Sequence, residues 1–162
     1  MAQTEIFLAA GATVELACFE AHGRLYGVDV MQIREIVRAQ EVTPLPRAPE
    51  LIEGVVDLRG AVIPVVDLGR ALGGAPVSEG PANRIAVLEV DDMALGLRVE
   101  AAVDVLSVAS EALLEPPALA THAGYDVVRA VVRRSDGPPV LVLSVEHLLE
   151  SLYRSALAKG PE

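Results

Sequence analysis

The sequence predicts a mainly β chain: two small five-stranded barrels packed together, short connecting helices and one C-terminal helix. Three observations carry that prediction. Eleven prolines and thirteen glycines are spread along 162 residues, which suits short strands and turns better than a helical bundle. Hydrophobic residues make up 52% of the chain, in runs far below the ~20 residues of a membrane helix. Finally, the order of elements repeats. Residues 24–39, RLYGVDVMQIREIVRA, are echoed by 93–108, MALGLRVEAAVDVLSV, and residues 51–72 are echoed by 127–149. Each half thus supplies about five strands, enough for one barrel of SH3-like type, over about 14–74 and 84–150. Whether the halves exchange strands is left open.

Taken in order, residues 1–12 lack a pattern and are expected to be flexible. Val14–Glu20 alternates as a strand, turns at Glu20–Gly23 and returns over Leu25–Asp29. Asp29 with Gln32 resembles a capping box, and Val30, Ile33, Ile36 and Val37 recur at helical spacing, so the spacing predicts a short helix over Val30–Arg38. Prolines 44, 46 and 49 impose an extended corner. Two apolar runs, Leu51–Leu58 and Ala61–Val66, then flank Arg59-Gly60 and predict a tight hairpin. Pro64 marks its second strand as an edge or a bulge, and Asp67 can cap a short helix over Leu68–Leu72. Residues 73–83, GGAPVSEGPAN, read as a linker. A second hairpin follows around Asp91-Asp92, and Pro116-Pro117 parallels the first proline corner. The Asp136-Gly137 turn then takes the place of Arg59-Gly60. Ser144 caps a helix over Val145–Lys159 with an apolar stripe of Val145, Leu148, Leu149, Leu152 and Ala156, stopped by Gly160-Pro161.

Composition removes whole classes of function. The 23 acidic against 13 basic residues give a net charge of −10, which repels nucleic-acid backbones and anionic membranes. Two Phe, three Tyr and no Trp leave little to stack on bases. Lys159 is the only lysine, so a phosphate-loop lysine, a Schiff-base lysine and a receiver-domain lysine have no residue to supply them. Cys18 is alone, which rules out an intrachain disulfide and reads as a buried small hydrophobe. The first residues lack a basic leader region, and the expected location is cytoplasmic.

His22, His122 and His147 share no metal-ligand spacing, so no metal, cofactor or catalytic role is expected of them. Asp57-Leu58-Arg59-Gly60 has the outline of an aspartic-protease loop, but Leu58 stands where a hydroxyl should be, and Arg59 favours an ionised carboxylate over a shared proton. Arg59 is the residue the fold does not need. It reads either as a surface arginine neutralised by Asp57 or Glu53, or as a rigidly presented guanidinium that grips a partner. Glu35, between Arg34 and Arg38, reads either as a solvated charge or as part of a binding surface.

Tyr26-Gly27-Val28-Asp29, Arg34-Glu35-Ile36-Val37, Thr43-Pro44-Leu45-Pro46, Gly54-Val55-Val56-Asp57-Leu58-Arg59-Gly60 and Pro64-Val65-Val66-Asp67-Leu68 stand in the order found in the CheW family. The chain resembles that family from about Val14 to Leu149. The resemblance implies a non-catalytic, cofactor-free signalling adaptor built from two SH3-like barrels. It would couple methyl-accepting chemoreceptors to a histidine kinase in membrane-associated arrays. It further implies that the receptor's cytoplasmic tip meets Arg59, Glu35, Ile36, Val30, Glu53, Val62 and Val65, while Gly54, Asp57 and Gly60 shape the turn. The kinase regulatory domain would dock barrel to barrel, and neither nucleic acid nor membrane insertion is involved. The family's turn usually has Asn where Asp57 stands, and Glu53 occupies a rim position that can be basic in relatives. Alternatives are an adaptor serving gliding, pilus motility or another non-flagellar output, and remotely a small hydrolase working through acidic residues.

Overall fold

The computed structural model describes residues 11–117 and 127–159, with side chains as far as Leu152. Eleven strands are present among the described residues: β1 (Thr13–Ala21), β2 (Arg24–Asp29), β3 (Ile33–Arg38), β4 (Ile52–Leu58), β5 (Ala61–Asp67), β6 (Arg84–Val90), β7 (Met93–Val99), β8 (Ala101–Ala109), β9 (Leu113–Leu114), β10 (Val128–Arg134) and β11 (Gly137–Leu143). The helices are α1 (Leu68–Ala71) and α2 (Val145–Lys159), with single 3-10 turns at Val30–Gln32 and Ser110–Ala112. Most of residues 1–12, His122, the Ala156 side chain and Gly160-Pro161 lie outside the described residues. Gly11 and Ala12 are described and tied down: Gly11 N donates to Glu111, and Ser110 N donates to the Ala12 carbonyl.

Two sheets result, in the orders β8-β1-β2-β11-β10-β9 and β3-β6-β7-β5-β4. The boundaries 14–74 and 84–150 do not delimit them. The hairpin β1–β2 sits in the sheet otherwise built by the second half, and β6–β7 sits in the sheet otherwise built by the first. The exchange is reciprocal, so each hairpin is joined by a parallel ladder to the last strand of the other half: β2 to β11 and β7 to β5. Gly27 and Gly96, which match in the internal echo, each lie at such a ladder. A Cβ on Gly96 would stand 2.9 Å from the Ile85 side chain, which would have to shift, and one on Gly27 3.2 Å from that of Val140, a tight contact.

The mainly β, two-part SH3-like architecture stands as expected, although among the described residues no ladder joins β8 to β9 or β3 to β4 to close either sheet into a barrel. Each still wraps a core of its own. Val14, Leu16, Cys18, Val140 and Val142 fill the first, and Val56, Ile63, Val65, Ile85 and Val87 fill the second. A third cluster binds sheet to sheet, with Phe19, Tyr26 and Val28 on one side and Leu68, Leu88, Leu95 and Leu97 on the other. Val145 and Leu149 of α2 join it. Ser144 caps α2 by accepting from His147 N at 3.2 Å, and Asp67 caps α1 by accepting from Arg70 N at 3.1 Å.

One expected element is overturned. Residues 30–38 are not a helix: Asp29 caps only the 3-10 turn, accepting from Met31 N, and the chain then extends as β3. The helical spacing was an imprint of a β-bulge. The β3–β6 register jumps between Ile33 and Glu35, so that Ile33 faces Leu88 and Ile36 faces Ala86. The extra residue, Arg34, puts two isoleucines three apart on one face, as a helix would. The segment 73–83 is likewise pinned down. Val77 is buried and donates to both Asp67 oxygens, and Ser78 N donates to Glu100 at 2.9 Å. His22 reaches the Ala75 carbonyl at 3.0 Å.

Candidate functional site

The β4–β5 turn places two successive residues at positive φ, Arg59 at 53° and Gly60 at 89°. That is the backbone of a type I′ hairpin, whose twist matches the flanking strands. Asp57 secures it by accepting from Gly60 N at 2.9 Å, which uses only a carboxylate oxygen that an asparagine also possesses. Gly54 is required for a different reason. A Cβ there would come within 2.3 Å of the Thr43 carbonyl, which pairs with Val55 and covers the free edge of β4.

Arg59 projects from this tip with 78% of its side chain exposed, and its guanidinium pairs with the carboxylate of Glu35 on β3. The neutralising partners expected from the sequence are engaged elsewhere, Asp57 by the turn and Glu53 by Arg98. The latter pair is bidentate, with both contacts at 3.0 Å, and Arg98 is largely buried. The Arg59–Glu35 pair separates two shallow hollows at the seam of the second sheet, one reaching Arg34 and Ile63 and the other Val37 and Gln40.

Not all the expected receptor residues converge here. Glu35 and Ile36 are adjacent on a strand and face opposite ways, with Ile36 41% exposed on the side of Ala86. Val62 is 65% exposed and stands across from Asp57. Val30 is half-buried in the 3-10 turn between β2 and β3. Glu53 lies at the far end of β4, where it lines a polar cleft of 510 Å³ with Arg70, Asn83 and Arg98. Val65 must be withdrawn as a contact residue. It is wholly buried in the core of the second sheet, and strand parity points it away from Val62.

Residues that the sequence reading did not single out complete the surface. Met31 is 79% exposed beside β3, and Arg34 and Arg38 are exposed on either side of Ile36. Had the segment been read as a strand, parity would have put Arg38 on the face of Ile36; the bulge sets Arg34 with Glu35 at the Arg59 hollow instead. Among the described residues no group of His, Cys, Asp and Glu side chains could hold a metal ion, and no helix is long and apolar enough to cross a membrane. Cys18 is free and buried, and burial followed by the charge of Asp104 pushes its thiol pKa up.

Comparison with known proteins agrees with this architecture. A family profile described as the CheW-like domain matches residues 15–153. The chain is 32% identical to the chemotaxis protein CheW of Treponema pallidum, over 89% of this chain and 86% of that protein. It is also 32% identical to the protein FrzA of Myxococcus xanthus, over 90% and 91% of the two chains. Among solved structures, the scaffolding protein TtCheW of Thermoanaerobacter tengcongensis superposes with a TM-score of 0.76 and 27% identity, covering 85% of this chain and 92% of that one. With its two interleaved sheets, its reciprocal hairpins and the match over nearly its whole length, the chain belongs to the CheW-like family.

Proposed function

We propose that this protein is a non-catalytic adaptor in chemotactic signal transduction, coupling methyl-accepting chemoreceptors to a histidine kinase. One surface would take the receptor's cytoplasmic tip and another the kinase's regulatory domain, so the protein sits at membrane arrays through its partners. The observation that carries the reading is the exposed Arg59 on the β4–β5 hairpin tip, paired with the partly buried Glu35 of β3, with the exposed Val62 on the same hairpin and the exposed Ile36 on the other face of β3. Charged groups around apolar ones suit a helix laid against a protein surface. Signal transfer then comes from differential affinity for receptor states, with no chemical step. Interfaces of this kind bury on the order of 800 Å² per partner.

The test is co-purification of receptor and kinase with tagged protein from the source cell. Arg59→Ala and Glu35→Lys are expected to lose the receptor, keep the kinase and leave the unfolding curve nearly unchanged. Receptor capture that survives both substitutions removes this surface from the mechanism. Identification of the captured kinase assigns the output, flagellar or otherwise.

A further inference from the structure

The polar cleft of 510 Å³ lined by Glu53 and Arg98 opens between the residues after β3, the start of β4, α1 and the segment 73–83. Small-molecule sites typically hold roughly 300–1,000 Å³. Four acids line it, Glu41, Glu53, Asp67 and Glu79, against two bases, Arg70 and Arg98. Both bases are engaged: Arg98 by Glu53, and Arg70 by the Glu50 carbonyl at 3.3 Å. Asp67 is buried and accepts from the backbone amides of Arg70 and Val77, with no cationic side chain paired to it among the described residues. The carboxylates of Glu41 and Glu79 are exposed and make no hydrogen bond or ion pair among the described residues.

Asn83 adds an acceptor that the fold leaves unused. It is only 5% exposed, and its Nδ2 donates to the carbonyls of Ser78 and Glu100 at 3.0 and 3.2 Å. Two carbonyls on that side fix which end of the amide carries the hydrogens. Its Oδ1 accepts nothing among the described residues, yet is not sealed off: there, Gln32 Oε1 alone is a fully buried side-chain oxygen or nitrogen without a partner. Asn83 Oδ1 therefore faces the cleft that Asn83 lines.

We propose that this cleft binds a small organic cation with two amino groups, an aliphatic diamine or polyamine. A carbonyl oxygen can only accept, so whatever meets Asn83 Oδ1 must donate, and an ammonium group brings three donors and a positive charge. One ammonium goes to the buried Asp67 and Asn83, the other to Glu41 and Glu79, and the methylenes between them lie against Val42 and Leu51. Two positive charges balance the excess of acids over bases in the lining. A metal ion fits less well, since among the described residues no group of His, Cys, Asp and Glu could hold one. The proposal is independent of the receptor reading, although Gln40 lines both this cleft and the hollow beside Arg59, so an occupant adjoins that surface.

The test titrates the full chain with butane-1,4-diamine, butylamine and butane-1,4-diol at low salt, following binding by calorimetry and by backbone amide shifts. The diamine is expected to bind at least about tenfold more tightly than butylamine, the diol not at all, and the difference to shrink as salt screens it. Amide shifts should centre on Val77, Asn83 and Arg98. E41Q/E79Q should weaken diamine binding at least about tenfold while unfolding as wild type does, since both side chains are exposed. E89Q/D92N removes as many charges from the exposed β6–β7 hairpin and should change binding less than about twofold, which controls for attraction to a chain of net charge −10. Equal losses in the two double variants, or equal binding of diamine and diol, overturn the proposal. So does binding of N-acetyl-lysine methylamide in the cleft with the diamine excluded, which would assign the site to a basic side chain of a partner protein.

Discussion

The guanidinium of Arg59 meets the carboxylate of Glu35 across the open seam of the second sheet, joining the hairpin tip of β4–β5 to the opposite edge strand, β3. The contact fastens two elements that no ladder connects. It is also mostly exposed, and exposed ion pairs contribute about 0–1 kcal/mol. A partner that takes Arg59 must therefore share it with Glu35 or displace it, at small cost to the fold.

Stability should report this directly. Arg59→Ala and Glu35→Gln are each expected to lower unfolding free energy by about 1 kcal/mol or less in urea titration. The double variant should lose no more than the sum. A loss several times larger would mean the pair holds the seam shut as a structural clasp.

Val62 and Val65 provide a paired test of strand parity. Val65→Ala removes methyl groups from a wholly buried site and should cost about 2 kcal/mol or more. Val62→Ala, on the exposed face, should stay within about 0.5 kcal/mol and act on receptor binding instead. Equal costs would put both side chains in the core.

Gly54 and Gly60 are both needed, for different reasons. Gly54→Ala drives a methyl into the Thr43 carbonyl at 2.3 Å and should cost about 1–3 kcal/mol, opening the bridge to Val55. Gly60→Ala meets open space and pays only for its left-handed backbone, about 1–2 kcal/mol. Amide exchange at Thr43 and Val55, whose N–H groups form that bridge, separates the two: fast in the first variant, protected in the second.

Acid should loosen the segment 73–83. The Ser78 amide, and after it His22, hold the Glu100 carboxyl below its ordinary pKa. A carboxyl depressed in the folded state stabilises it above its unfolded pKa, and that contribution is lost as pH falls through the folded value. Amide exchange at Ser78 should therefore accelerate only below the usual carboxylate range, whereas Glu100→Gln should show the acid behaviour at neutral pH. Exchange at Ser78 indifferent to both changes would remove Glu100 as the anchor.

Local chemistry made much of this architecture legible. The hairpin around Arg59-Gly60, the Asp67 and Ser144 caps and the echo between halves follow from turn residues, capping side chains and apolar alternation. What failed depended on pairing. The bulge at Arg34 gave a strand the apolar spacing of a helix, and only the opposing strand β6 reveals it. Glu35 as the partner of Arg59 is a contact between residues 24 apart in sequence, and no local pattern announces it. Val65 was legible all along. Three residues from Val62 on one strand, it had to face the other way.

The reciprocal loan of hairpins means that neither half is a detachable module. Cut within 73–83, each piece would carry one orphaned hairpin and one sheet missing its central strands. Such fragments should regain their shape only together, and grafting a half from a distant relative would demand agreement along both parallel ladders at once.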